Sequence, residues 1–222
     1  MDQLSKSYYD AAAIGDLLGV SQALNDGADV NVQNGDGRSP LMRSAKRGHT
    51  DVVRCILDHG GDVNLRDNNN KTAIMHAAKK GHLYIVKMLV EKGADVNAQD
   101  NKGYSALMRA SYLGNTEVVE YLVENGADIN LTDEMGRTAL MEACITLKVD
   151  TIRYLVENGA DVNKQDRNGC TALMRAAYSG YLELCQYLVE HGADKEIADA
   201  AGNKAVKYVH QNGAENLKEY LA

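Results

Sequence analysis

The chain has 222 residues, of which 45% are hydrophobic, yet it contains no Trp, no Phe and only one Pro. Its core must therefore be built from Ala, Leu, Val, Met, Ile and Tyr, a composition that favours helices. The formal net charge of −7 argues against binding to duplex nucleic acid, which requires positive charge on the protein.

The amino-terminal segment MDQLSKSYYDAAAIGD has no basic stretch followed by an apolar core. No apolar run in the chain approaches the roughly 18 residues that span a bilayer. We therefore predict a cytoplasmic protein that does not associate with membranes. Its four cysteines form no C-x-x-C pair, which favours reduced, packed cysteines over disulfides or a zinc site: Cys55, Cys144, Cys170 and Cys185.

A period of 33 residues runs along the whole chain. A Gly-x-Asp triplet recurs, without insertion or deletion, at Gly27, Gly60, Gly93, Gly126, Gly159 and Gly192. A second marker recurs at Gly37, Asn70, Gly103, Gly136, Gly169 and Gly202. Because Asn tolerates a positive φ best after Gly, the exception at Asn70 predicts a left-handed backbone at every one of these positions.

The period predicts a single domain, 1–222, made of a terminal unit at each end and five full repeats between them. The full repeats are 34–66, 67–99, 100–132, 133–165 and 166–198, and the capping units are 1–33 and 199–222. The first cap keeps a helix pair, with Tyr8 and Tyr9 where the repeats have Leu-Met. The last cap ends in the polar helix GAENLKEYLA, and we expect both ends of the stack to be closed.

Each repeat is predicted to contain a turn, a short first helix, a tight reversal, a longer second helix and a loop. In 100–132 the segment SALMRASYLG forms the first helix, and NTEVVEYLVENG forms the second with its valines and leucine at helical spacing. Gly114 and Gly126 end these helices. The hydroxyls that precede the first helices are predicted N-caps: Thr72, Ser105, Thr138 and Thr171.

Repeat 133–165 departs from this pattern, because Leu147 replaces the glycine between its two helices. A left-handed conformation costs a residue other than glycine about 1–2 kcal/mol. We therefore predict either a rebuilt reversal or a locally weak repeat.

The segment TALMRAAYSGYLELCQYLVEHGADKE and its sister units resemble the ankyrin repeat, whose familiar form is TPLHxAAxxGH followed by GADVN. The resemblance implies an all-α repeat solenoid, in which helix-turn-helix units with β-hairpin-like loops stack into a curved array. It also implies a protein-protein interaction module with no catalytic residue, no metal and no cofactor. The His of the family motif is replaced by a methionine that we expect to pack between helices: Met42, Met75, Met108, Met141 and Met174.

In the ankyrin family, partners bind the turn tips and the exposed side of the first helix, which are positions 2, 3, 5, 10, 13 and 14 of each repeat. In this chain those positions carry three acidic residues, Asp36, Glu134 and Glu142, and twelve basic ones, so their net charge is +9. The turn aspartates Asp67, Asp100, Asp133 and Asp166 reduce it to +5. The basic residues are Arg38, Arg43, Lys46, Arg47, Lys71, Lys79, Lys80, Lys102, Arg109, Arg137, Arg167 and Arg175.

Seven of these basic residues lie in 34–66 and 67–99, whereas aromatic and aliphatic residues, Ile145 among them, occupy the same positions further along. This gradient favours a partner segment that is acidic or phosphorylated and carries one or two apolar anchors. The predicted partner-binding residues are Arg38, Arg43, Lys46, Arg47, Lys71, His76, Lys79, Lys80, Lys102, Tyr104, Arg109, Tyr112, Leu113, Met135, Arg137, Arg175 and Tyr178.

Three other interpretations of this surface stay open. Lys and Arg can simply solvate an exposed helix face, or the basic groove can bind single-stranded nucleic acid or a phosphorylated small ligand, with a tyrosine stacking on a base. An enzyme is the third, but no Ser, Cys or carboxylate lies at a telling spacing from a histidine. We expect a monomer that binds another protein, and the sequence leaves the identity of that protein open.

Overall fold

The structure is a computed structural model that describes residues 1–210 and 214–222; residues 211–213, within the predicted C-terminal cap, lie outside the described part. The described residues form thirteen α-helices and one 3-10 helix, and they contain no strand. The α-helices are α1 (Gln3–Ile14), α2 (Leu17–Asn25), α3 (Pro40–Arg47), α4 (Thr50–Asp58), α5 (Ala73–Lys80), α6 (Leu83–Glu91), α7 (Ala106–Leu113), α8 (Thr116–Glu124), α9 (Ala139–Ile145), α10 (Val149–Glu157), α11 (Ala172–Tyr178), α12 (Leu182–Glu190) and α13 (Glu215–Leu221).

The helices stack in two parallel layers. The first helices α1, α3, α5, α7, α9 and α11 each contact the first helix of the next unit. The second helices α2, α4, α6, α8 and α10 contact one another in the same order. One continuous hydrophobic core runs between the layers from α1 to α13. The predicted all-α repeat solenoid is confirmed.

The core uses the residues that the repeat pattern indicated. The five methionines that replace the family's His are all buried, which confirms their predicted packing role. Tyr8 and Tyr9 are buried at the equivalent place in the first unit, and the Tyr8 hydroxyl donates to the carbonyl of Val30 at 3.2 Å. In the last unit a single 3-10 turn, Ala205–Tyr208, takes the place of a first helix.

Hydroxyl caps begin four of the five first helices in the full repeats. Ser39, Ser105, Thr138 and Thr171 each accept a hydrogen bond from the N–H of the methionine three residues later, at 3.3 Å. Thr72 lies at the same place with an extended backbone but makes no such bond, and its hydroxyl is buried without a partner. The predicted cap at Thr72 is therefore wrong.

The reversal between the two helices keeps its left-handed backbone even where glycine is missing. Gly114 has φ +74°, and Leu147, one period later, has φ +56°. Leu147 N–H donates to the carbonyl of Cys144, and Lys148 N–H donates to that of Ala143 at 3.0 Å. Because the turn after α7 makes the equivalent bonds, repeat 133–165 has kept the reversal rather than rebuilt it, and its backbone carries the strain.

Turn tips are hydrogen-bonded along the array. Asn70 has φ +59°, as predicted for its place in the glycine series. The Asn101 N–H donates to the Asn69 carbonyl at 3.0 Å, and the Glu134 N–H donates to the Lys102 carbonyl at 3.0 Å. These bonds fix the register of successive turns, so that side chains at equivalent positions are presented side by side.

Candidate functional site

The candidate site is the surface formed by α3, α5, α7, α9, α11 and the turns that precede them, here called the first-helix face. On the part of this face contributed by the first three full repeats, basic side chains surround a cavity of ≈ 260 Å³, here called the lysine cavity. Met75 forms part of its wall. The other residues that line it are Arg38, Lys46, Lys71, His76, Lys79, Lys80 and Arg109.

A second depression, here called the apolar cleft, lies one repeat further along and has a volume of ≈ 420 Å³. Lys79 and Arg109 line both depressions, so the two are contiguous. The apolar part consists of three side chains that are partly exposed, Tyr112 (43%), Leu113 (40%) and Ile145 (40%). The remaining lining residues are Tyr104, Arg137 and Glu142.

The turn aspartates bind their own turns and also neutralise arginines of the first-helix face. In Asp100, Oδ1 accepts hydrogen bonds from the N–H groups of Lys102 and Tyr104 at 2.9 and 3.0 Å, while Oδ2 accepts one from Arg109. Asp166 binds Arg175 in the same way at 2.6 Å. These arginines are therefore already compensated, which favours the lower of the two charge totals for this face.

Repeat 133–165 keeps the turn aspartate but carries its arginine in the turn, at position 5, and an acidic residue at position 10. Position 10 carries Glu142, which is buried, and Arg137 approaches it to 3.1 Å while also binding Asp133 at 2.7 Å. Burial raises the pKa of Glu142, and Arg137 opposes that increase. Tyr104 donates to Glu142 at 3.3 Å and accepts from Arg137, and burial together with the Glu142 charge raises the pKa of Tyr104 to about 12.

His76 occupies position 10 of repeat 67–99 and does not replace the missing arginine. Its Nε2 lies 3.9 Å from Asp67 Oδ2, too far for a hydrogen bond, and both atoms are buried without a partner. Burial lowers the pKa of His76 to about 4, although the Asp67 charge opposes the shift. The imidazole is therefore neutral at pH 7, and its side chain is 14% exposed at the lysine cavity.

Four lysines of the lysine cavity have no carboxylate to neutralise them. Within residues 1–210 and 214–222, no carboxylate oxygen lies within 4.0 Å of Lys46, Lys71, Lys79 or Lys80. Partial burial lowers the pKa of Lys46, and the charges of Arg38, Arg43, Lys80 and Lys79 lower it further. The cavity thus concentrates uncompensated positive charge on an acidic protein.

Comparison with known proteins gives the family. Residues 9–100, 97–133 and 107–199 match the family model for ankyrin repeats (3 copies). The chain belongs to the ankyrin-repeat family. Ankyrin repeats are generally protein-protein interaction modules, and ankyrin-repeat proteins are typically not enzymes.

Two similar proteins illustrate the relationship. The crystal structure of the human ASB11 ankyrin repeat domain has a TM-score of 0.88 and 26% sequence identity, over 100% of this chain and 98% of that one. The ankyrin repeat and KH domain-containing protein mask-1 of Caenorhabditis elegans is 43% identical over 56 residues, which is 25% of this chain. The ankyrin-repeat chain thus covers only 2% of the length of that curated relative.

Several predicted binding residues of the ankyrin-repeat chain line neither depression. Arg43 is half-buried over the ring of Tyr9, at 5.8 Å, and Arg47 donates to the carbonyl of Ala13. Lys102 and Met135 are exposed at turn tips, whereas Arg175 is paired with Asp166. Tyr178 packs edge-on against His210 at 5.0 Å, and Arg167, which was counted only in the charge of this face, is exposed on the turn of repeat 166–198.

Three residues that line the two depressions were not among the predicted partner-binding residues, and the repeat positions could have indicated two of them. Glu142 and Ile145 occupy positions 10 and 13, which the sequence pattern already assigned to this face, but Glu142 was counted only as a charge and Ile145 only as part of the apolar gradient. Met75 was assigned to the core.

No helix in residues 1–210 or 214–222 combines the length and the apolarity that crossing a membrane requires.

Proposed function

We propose that this ankyrin-repeat chain is a non-catalytic binding module that holds an acidic segment of another protein on its first-helix face. The observation that carries the proposal is the group of four lysines without carboxylate partners, Lys46, Lys71, Lys79 and Lys80, beside an exposed apolar cleft. An acidic segment in the lysine cavity relieves the repulsion among these like charges. The binding partner thus supplies the negative charge that the chain's own turn aspartates supply elsewhere.

Internal salt bridges decide which of the predicted basic residues can attract an anionic partner. Arg109, Arg137 and Arg175 already bind buried carboxylates, so an approaching anion gains little from them and must compete with an internal partner. The lysines have no internal partner, and their attraction to an anion is partly screened by salt. We therefore expect charge to be recognised mainly by repeats 34–66 and 67–99.

The apolar cleft supplies the second element of recognition. Tyr112, Leu113 and Ile145 keep about two fifths of their surface exposed. Covering apolar surface with a partner's side chain gains about 25 cal/mol for each Å² removed from water, less the cost of ordering the partner. An apolar anchor here adds affinity that does not depend on ionic strength, in contrast to the contribution of the lysines.

Selection from a random peptide library tests the proposal even though the natural partner is unidentified. We expect the wild-type chain to enrich peptides that combine acidic and apolar residues, and the double variant Lys79→Glu, Lys80→Glu to lose that enrichment. A matched control is Arg54→Glu, Arg153→Glu, which changes the charge equally at exposed sites on α4 and α10. Equal enrichment by the wild type and the Lys79, Lys80 variant, with both folded by circular dichroism, contradicts the proposal.

Single-stranded nucleic acid is the alternative ligand for the same surface, and two contacts disfavour it. Arg137 and Glu142 both line the apolar cleft and are paired with each other, so a continuous polyanion finds no uncompensated cation there. The Tyr104 hydroxyl is held by Glu142 and Arg137, which leaves Tyr112 as the exposed aromatic residue of the cleft. Tight binding to single-stranded RNA with a steep salt dependence would favour this alternative over a protein partner.

A further inference from the structure

We propose that the lysine cavity receives a phosphorylated side chain of the partner and that the apolar cleft receives an apolar side chain three residues away from it. This inference rests on the proposed function and specifies its ligand. Two observations carry it: the kind of cation left uncompensated in the lysine cavity, and the offset of one repeat between the cavity and the apolar cleft.

The kind of cation left uncompensated in the lysine cavity favours a phosphate over a carboxylate as its ligand. The chain neutralises its own Asp100, Asp133 and Asp166 with arginines, whose planar guanidinium groups suit carboxylates. The uncompensated cations of the lysine cavity are lysines, which act as point charges with donors that rotate freely. Several converging ammonium groups match a phosphate, which carries a charge of about −1.5 to −2 and three strong acceptor oxygens.

The histidine in the wall of the lysine cavity is neutral and adds no charge to it. His76 Nε2 is buried and has no hydrogen-bond partner within the described residues. Asp67 Oδ2 lies 3.9 Å away, and Arg38 Nε lies 3.9 Å from that same oxygen, so the Asp67 charge is balanced near the cavity. Because His76 Nε2 is buried on the Asp67 side of the ring, it is not accessible to a ligand, and the lysines are the groups that contact the phosphate.

The second observation sets the spacing of the motif. The lysine cavity is centred on repeat 67–99 and the apolar cleft on repeat 100–132, and Lys79 and Arg109 line both. Packed helices of neighbouring repeats lie about 8–10 Å apart. An extended peptide rises about 3.3 Å per residue, so that distance corresponds to about three residues.

Fluorescence anisotropy with short labelled peptides tests both parts on the full chain. One pair of peptides contains phosphoserine with leucine three residues after it or three residues before it, because the clefts do not fix the direction of the bound segment. Glutamate replaces phosphoserine in a second pair, and leucine is adjacent to phosphoserine in a third. We expect at least one peptide of the first pair to bind tenfold or more tightly than its glutamate and adjacent-leucine counterparts.

Protein variants show where the peptides bind. We expect Lys79→Glu, Lys80→Glu to abolish the preference for phosphoserine, and Arg54→Glu, Arg153→Glu to retain it. Equal affinity for the glutamate and phosphoserine peptides overturns the phosphate assignment but leaves the proposed function standing. Equal affinity at both leucine spacings overturns the register. Binding that both double variants retain overturns the site itself, and with it the proposed function.

Discussion

Arg109 and Asp100 are nine residues apart in sequence and form a salt bridge on the first-helix face. The carboxylate of Asp100 also holds the turn that precedes α7, since Oδ1 accepts from the N–H of Lys102 and Tyr104. Turn geometry and surface charge are therefore coupled through one buried carboxylate. Repeats 67–99 and 133–165 depart from this arrangement, because their position 10 carries His76 and Glu142 in place of an arginine.

Removing Arg137 destabilises the protein more than removing Lys71, the basic residue at the same position two repeats earlier. Arg137→Ala leaves Glu142 and Asp133, both buried, without their cation, and we expect the free energy of unfolding to fall by about 3 kcal/mol. Lys71→Ala is the matched control, because Lys71 has no carboxylate within 4.0 Å among the described residues, and its effect should stay below about 0.5 kcal/mol. Urea unfolding followed by far-ultraviolet circular dichroism measures both. Similar losses for the two variants would show that the Arg137 network adds no net stability.

Replacing Leu147 by glycine stabilises repeat 133–165. Leu147 has φ +56° and is 39% exposed, so Leu147→Gly relieves the left-handed strain but also gives up the buried part of the leucine side chain. We expect the relief of strain to outweigh that loss, with a net gain of at most about 1 kcal/mol. Gly114→Leu, one repeat earlier, should lower stability by more than that amount, because a Cβ at Gly114 would also lie 2.6 Å from Lys148 Cδ. In hydrogen exchange the amides of 133–165 should be less protected than those of 100–132, and Leu147→Gly should reduce that difference; equal protection in the wild type is the contrary result.

Thr138 and Thr72, at equivalent positions before a first helix, should respond differently to alanine. Thr138 accepts a hydrogen bond from Met141 N–H at 3.3 Å, so Thr138→Ala should lower the free energy of unfolding by about 1 kcal/mol. Thr72 makes no capping bond and buries an unpaired hydroxyl, so Thr72→Ala should be neutral or slightly stabilising. The urea concentrations at the unfolding midpoints of the two variants, compared with that of the wild type, measure these changes. A loss at Thr72 equal to that at Thr138 would mean that the Thr72 hydroxyl is bonded in solution.

His76 makes the protein less stable in mild acid. Its pKa is lowered from 6.5 to about 4 in the folded state, so the unfolded chain binds the additional proton between these values. Stability is therefore complete above pH 6.5 and is lost as the pH falls towards 4. From pH 7 to pH 5 the wild type should lose about 2 kcal/mol more than His76→Gln does. Parallel pH dependence of the two proteins, measured by urea unfolding at each pH, would contradict the buried neutral state of His76.

Local rules made much of the fold predictable. Asn70 and the glycines of its series have a left-handed backbone, which the sequence indicates because few other residues tolerate a positive φ. Leu147 shows the limit of such a rule, because the sequence alone left open whether its turn was rebuilt or strained. Thr72 shows another: a cap depends on the rotation of one side chain, which neighbouring atoms decide.

The sequence by itself determined the repeat, the helix pairs and the set of positions that share a face, because a fixed period places equivalent residues side by side wherever units stack. Only the tertiary structure decided which charges on that face are compensated. Arg109 and Lys79 have the same charge in the sequence, but Asp100 lies within reach of Arg109 and no carboxylate of the described residues lies within 4.0 Å of Lys79. Coulombic attraction depends on distance and burial, and a one-dimensional pattern specifies neither.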